Sequence, residues 1–150
     1  MEVFRIAKES FSKELTASGR ANRWNIDDQY MIYTGNSRSL STLELIVHKN
    51  AVTPAFKYKV MIISIADEER LFTHLLQTDL PRNWRSMIAY PGLQKLGGDW
   101  YQSNRSLILK VPSAIIPKEH NFIINTKHPD FGSMVSLVRT EDYFWDDRLL

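Results

Sequence analysis

Cysteine is absent from the chain, which removes disulfides, zinc ribbons, thiol nucleophiles and thiol redox chemistry together. Long hydrophobic runs are absent too, and Met1-Glu2-Val3-Phe4-Arg5 does not lead from a basic segment into an apolar one. A chain of this kind is expected to be unexported, away from the membrane and cytoplasmic. Charge of one sign is scarce, since 19 Lys and Arg against 17 Asp and Glu leave a net charge of +2. The bases fall in small groups at Arg20/Arg23, Arg82/Arg85 and Lys110. They form no dense stripe of the sort that grips a phosphate backbone, so direct binding to DNA is not expected.

Several catalytic signatures are also missing. The sequence has neither a GxGxxG turn nor a GxxxxGK[ST] loop, which argues against dehydrogenases and P-loop enzymes. It has no GxSxG elbow, and an α/β-type serine hydrolase loses its support. His48, His74, His120 and His128 lie far apart with no HExxH pair, so they read as surface or core-edge residues and no metal is expected.

What is present is the composition of an ordinary globular protein. Hydrophobic residues make up 43% and charged residues 24% of 150 positions, enough to bury a core without covalent staples. No repeat, low-complexity tract or Pro/Gly/Ser-rich linker divides the chain, so residues 1–150 are expected to form one domain. Met1–Ala7 and Tyr30–Thr34 read as buried strands, the second closed by Gly35-Asn36. From Ser37 or Ser39 through Lys49, Leu40, Leu43 and Val47 recur at helical spacing behind a capping serine. Phe56–Ala66 is rich in β-branched and aromatic residues, and the charged segment from Asp67 to Leu76 predicts a helix. A further helix is expected around Leu93–Ser103, weakened by Gly97-Gly98, with strands at Ser106–Val111, Phe122–Ile124 and Met134–Val138. Trp84, Trp100 and Trp145 read as core or core-edge packing. The pattern lacks regular βαβ alternation and predicts an α+β domain, with a mixed or antiparallel sheet flanked by helices.

A few residues carry the means for chemistry. Arg23-Trp24-Asn25 follows a Gly19-Arg20 break, and a guanidinium in such a loop suits a phosphate or carboxylate. An Arg in a salt bridge beside a structural Trp explains the same triplet. Glu44 lies next to Leu40 on the helical wheel and one turn before His48, at the margin of the apolar arc. A partly buried carboxylate there calls for a partner, with Arg23 the obvious one; a Glu at the core edge with a solvated head is the alternative. Tyr33 can offer a flat face or a hydroxyl to a ligand, or simply pack in the core. Ser113, after Val111-Pro112, can point into a cleft or merely form a turn.

In chain order, Arg23, Glu44 and Ser113 resemble the Arg, Glu and Ser that name the RES domain of RES–Xre toxin–antitoxin pairs. Arg23-Trp24-Asn25, Met31-Ile32-Tyr33-Thr34 and Ser39-Leu40 through Glu44 to His48 resemble the family's first blocks. Leu80-Pro81-Arg82-Asn83-Trp84 and Gly98-Asp99-Trp100 are similar to its middle blocks. Val111-Pro112-Ser113-Ala114, Asn121-Phe122-Ile123-Ile124-Asn125, His128-Pro129-Asp130-Phe131 and Asp147-Arg148-Leu149 are similar to its C-terminal part. One departure is Ile26-Asp27-Asp28, which stands where a proline and glycine turn is often found.

The resemblance implies an ADP-ribosyltransferase-like core and cleavage of the nicotinamide–ribose bond of NAD⁺, by hydrolysis or phosphorolysis, with arrest of growth. NAD⁺ is then a substrate, and no prosthetic group is implied. Arg23, Glu44 and Ser113 would be catalytic, and Arg23, Asn25, Tyr33 and Ser113 would bind NAD⁺. The implied partner is an Xre-like helix-turn-helix antitoxin that covers the active site and carries the DNA contact, in a complex that can include a homodimer of this chain. Transfer of ADP-ribose to a protein target, and a binding module without activity, are the competing readings.

Overall fold

The computed structural model describes residues 1–48, 55–144 and 146–149. The first strand, β1 (Glu2–Lys8), is followed by a long loop and then β2 (Met31–Gly35) and helix α1 (Arg38–Val47). Next come β3 (Tyr58–Ile65), β4 (Phe72–His74), helix α2 (Tyr90–Ser103), β5 (Ile108–Pro112) and β6 (His120–Asn125). A single turn of helix, α3 (Phe131–Met134), leads into β7 (Val135–Asp142). All seven strands join one sheet in the order β4-β5-β6-β2-β1-β3-β7. Among the described residues only the β4–β5 pairing is parallel, so the α+β expectation of a mixed or antiparallel sheet with flanking helices is met.

Strand alternation sends neighbouring residues to opposite faces, and both faces are buried. On one face Ile32, Met61, Ile63, Ile108, Phe122 and Ile124 share a core cluster. On the other, Met31, Leu109, Val111 and Ile123 pack against Trp24, Trp84 and the α2 residues Leu93 and Trp100. A third cluster of Ile6, Tyr58, Val60 and Ile62 takes Leu45 from α1. Trp84 and Trp100 are thus core residues, whereas Trp145 and the expected end of the first helix at Lys49 lie outside the described residues.

The seam between β1 and β2 positions the site. β1 pairs with β3 over seven residues, from Glu2↔Ser64 to Lys8↔Tyr58, but meets β2 at one position, Phe4↔Gly35. The sheet therefore consists of two well-paired halves joined at a narrow contact. α1 bridges this seam. Ser37 caps it by accepting the Leu40 N–H at 3.0 Å, and the Ser41 hydroxyl donates to the Phe4 carbonyl at 2.9 Å.

The helix expected over Asp67–Leu76 does not form. One 3₁₀ turn at Glu69–Leu71 precedes β4, which pairs Phe72, Thr73 and His74 with Ile108, Leu109 and Lys110. Leu71 is buried, and the Thr73 hydroxyl bonds the Ser106 hydroxyl at 2.7 Å. These long-range partners outweigh the local charge pattern on which a helix was expected. At the opposite edge, the register of β7 shifts between Ile62↔Arg139 and Ile63↔Leu137, leaving Val138 as the extra residue of a β-bulge.

Candidate active site

A cavity of ≈ 360 Å³ opens beside the β1–β2 seam, of a size suited to a small-molecule ligand. One wall is the loop before β2 together with the start of α2, carrying Arg23, Trp24 and Tyr90. The other is α1, with Glu44, Leu45 and His48, and Tyr33 and Asn121 on adjacent strands form the floor.

Local chemistry dictates the first wall. Asn22 and Asn25 close a tight turn through Asn22 N–H to Asn25 O at 2.9 Å and Asn25 N–H to Asn22 O at 3.3 Å, with Arg23 and Trp24 at its tip. Trp24 is buried in the core, which holds the turn down. Gly97 of α2 lies directly beneath it: a Cβ there would stand 1.9 Å from the Trp24 carbonyl oxygen, so only glycine permits this approach. The base of the loop closes through Asp28 N–H to Gly19 O at 2.7 Å. Asp28 has φ of 67°, in the left-handed region, which an Asp adopts more readily than most residues other than glycine.

At the tip of this turn, Arg23 donates from Nη1 to the Trp84 carbonyl at 2.8 Å and from Nη2 to the Arg85 carbonyl at 3.4 Å. Its guanidinium lies over the Tyr90 ring, 4.8 Å from the centroid. The expected partnership of Arg23 with Glu44 is therefore replaced by two backbone carbonyls and an aromatic face. These hold the guanidinium at the cavity wall while leaving further N–H donors.

Glu44 finds its partners elsewhere. The Ser113 hydroxyl donates to Glu44 Oε1 at 3.3 Å, and the Asn121 side chain also hydrogen-bonds the carboxylate. Burial pushes the Glu44 carboxyl above the ordinary range, while Asn121, the His48 imidazole, Ser113 and Arg23 each pull it back. Ser113 is itself fully buried, and its oxygen accepts the N–H groups of Ile115 and Ile116, both at 3.1 Å. It therefore both orders its turn and orients the carboxylate.

Asn25 and Tyr33 are joined below the tip of the turn. The Tyr33 hydroxyl donates to Asn25 Oδ1 at 2.6 Å and accepts the Trp24 N–H at 3.0 Å. Burial is the leading reason that this hydroxyl is pushed well above the ordinary tyrosine value. Asn25 is 1% exposed and lies behind the cavity surface.

A family model described as the RES domain matches residues 2–146. The chain belongs to the RES domain family. It is 34% identical over 127 residues to a protein named Toxin Res from Yersinia enterocolitica, covering 85% of this chain and 82% of that one. It is 30% identical over 129 residues to a Toxin Res of Photorhabdus laumondii, covering 85% and 81%. A Prs ADP-ribosylating toxin of a Sphingobium species is also 30% identical over 129 residues, covering 85% and 80%.

In this RES domain the cavity gathers Arg23, Tyr33 and Glu44 from three chain segments, with Ser113 bonded to Glu44 and Asn25 one layer behind. Sequence reasoning did not assign Asn121 or Tyr90 to the site. Asn121 lies within a block that resembles the family, but only the β2–β6 register, with Gly35 opposite Asn121, brings it to Glu44. Nothing in the local sequence marks Tyr90 as the platform for Arg23. Among the described residues no group of three His, Asp or Glu side chains is placed to hold a metal, and no helix is long and apolar enough to cross a membrane.

Proposed function

We propose that this RES domain is a toxin enzyme that breaks the bond between nicotinamide and ribose in NAD⁺, on an ADP-ribosyltransferase-like core. The observation that carries the reading is the convergence of a cation, an aromatic ring and a half-buried carboxylate on one cavity. The printed name of the Sphingobium relative, an ADP-ribosylating toxin, supports NAD⁺ as substrate.

Each residue has a role that follows from its chemistry. Tyr33 stacks its ring on nicotinamide. The C1′–N bond breaks with its electron pair passing to nicotinamide, leaving an oxocarbenium-like ribose. Glu44 accepts hydrogen bonds from the ribose hydroxyls and stabilises that charge. Arg23 holds a phosphate or the ribose edge. Ser113 and Asn121 aim the carboxylate. Water or phosphate then adds to C1′, so that the products are ADP-ribose or its 1-phosphate. Transfer to a protein side chain uses the same residues and differs only in the acceptor.

An enzyme that consumes NAD⁺ without restraint needs a keeper. An antitoxin of the Xre-like helix-turn-helix type, seated over the cavity and supplying the DNA contact, fills that place. The exposed Val47 at the cavity mouth offers it apolar surface.

The test is to follow NAD⁺ and free nicotinamide with purified protein, with and without phosphate, beside Glu44→Gln. Nicotinamide release that requires Glu44 is expected, and dependence on phosphate assigns the acceptor. Label retained on protein from labelled NAD⁺ in cell extract would instead assign ADP-ribose transfer. If NAD⁺ persists in every tube and no protein is labelled, the enzymatic reading is wrong.

A further inference from the structure

We infer that Asn25 is a positioning residue of the cleft, which fixes the Tyr33 ring and the Arg23 turn as one unit and touches no substrate. The inference rests on the reading of the cavity as a site for NAD⁺.

A count of donors and acceptors carries it. The Asn25 amide nitrogen donates to the carbonyls of Arg20 at 2.9 Å, Ile26 at 2.9 Å and Gln29 at 3.2 Å, which occupies both of its N–H groups. Its oxygen accepts the Tyr33 hydroxyl at 2.6 Å. With 1% exposure and both amide hydrogens engaged, the side chain has no donor to offer a ligand. Tyr33 is committed in the same way. Its single hydroxyl hydrogen goes to Asn25, and its oxygen accepts the Trp24 N–H. With its hydroxyl engaged, what Tyr33 has left to offer the cavity is its ring, which suits a flat aromatic group rather than a polar group held by hydrogen bonding.

The wiring is also geometric. Asn25 closes the turn that carries Arg23 and, through the Tyr33 hydroxyl, ties that turn to β2 in the sheet. The Tyr33 hydroxyl and the loop that carries Arg23 are therefore tied together through one buried amide, while the guanidinium rests on the Trp84 and Arg85 carbonyls. Neither aspartate nor alanine replaces it: aspartate would point a carboxylate at three carbonyl oxygens, and alanine would leave those carbonyls and the Tyr33 hydroxyl without their partner.

The experiment is a double-mutant cycle on the full chain with Asn25→Ala and Tyr33→Phe, read by NAD⁺ kinetics and by thermal unfolding without NAD⁺. Each single variant is expected to raise KM for NAD⁺ about tenfold and to change kcat less than about threefold, because substrate placement is lost and the Glu44 wall is intact. The double variant is expected to be no worse than the poorer single one, in KM and in unfolding temperature. Additive losses in both readouts, or Tyr33→Phe with unchanged KM, overturn the inference. Should Asn25→Ala fail to fold, Tyr33→Phe alone decides, since it keeps the ring and deletes only the hydroxyl, with its bonds to Asn25 and to the Trp24 N–H of the same turn. A wild-type protein that leaves NAD⁺ intact refutes the enzymatic reading instead, and the unfolding cycle still reports whether the two residues act as one.

Discussion

The two walls of the cavity are built on opposite terms. On the Arg23 wall every polar group named above meets a partner: the Asn25 amide, the Tyr33 hydroxyl, the Arg23 guanidinium and the paired Asn22 and Asn25 backbones. On the Glu44 wall a carboxylate stands half-buried with its pKa raised by burial, and its hydrogen bonds offset only part of that shift. The first wall contributes stability and the second draws on it. A site that must stabilise a passing positive charge needs both, a rigid frame and a carboxylate held where water would not hold it.

The contrast can be broken from either side. Glu44→Gln should have the largest effect, lowering nicotinamide release by about 100-fold or more, as loss of an electrostatic stabiliser does. Single-turnover assays at saturating NAD⁺ check it. Gly97→Ala should strike the other wall. A methyl group 1.9 Å from the Trp24 carbonyl forces the turn off α2, at a cost of about 3 kcal/mol, read as a lower denaturation midpoint in urea. Ser113→Ala should reduce activity by about tenfold and stability by about 1 kcal/mol, since one oxygen serves both the carboxylate and two N–H groups. Lys95→Ala, which removes only an exposed pair with Asp99, should change stability by less than about 0.5 kcal/mol and activity not at all.

Acidity sharpens the same contrast. Because the Glu44 carboxyl is raised in the folded protein, the folded state keeps that proton after the unfolded chain has released it. Stability is therefore lost as pH climbs from the ordinary carboxylate range through the raised value. Activity moves the other way, since the ionised form is the useful one. Glu44→Gln should accordingly be at least as stable as wild type at neutral pH, with the advantage vanishing in acid. Unfolding temperatures recorded across pH 4 to 8 test the sign.

Much of this was legible in the residues because it depends on near neighbours. Ser37 capping α1, the apolar strands β1, β2 and β6, and Glu44 at the margin of an apolar helix face are local patterns. What failed depended on distant partners. The charged stretch after Asp67 contains β4 only because β5 lies beside it some 35 residues later. Arg23 was matched with Glu44 on charge, yet the fold presents the carbonyls of Trp84 and Arg85 at closer reach. Asn25, to which the resemblance gave a part in binding NAD⁺, bonds the carbonyls of Arg20 and Gln29 inside its own loop, contacts that depend on the loop's conformation rather than on spacing.

The bulge at Val138 reaches beyond the fold. β7 is the last strand of the sheet and runs for eight residues, long enough to template a neighbour's strand. The extra residue interrupts the regular ladder midway, and Arg139, Glu141 and Asp142 add charges of both signs past it. A second molecule approaching edge to edge meets a broken row of donors and acceptors and charges that it must desolvate. Edge-to-edge association of this protein is thus resisted at β7.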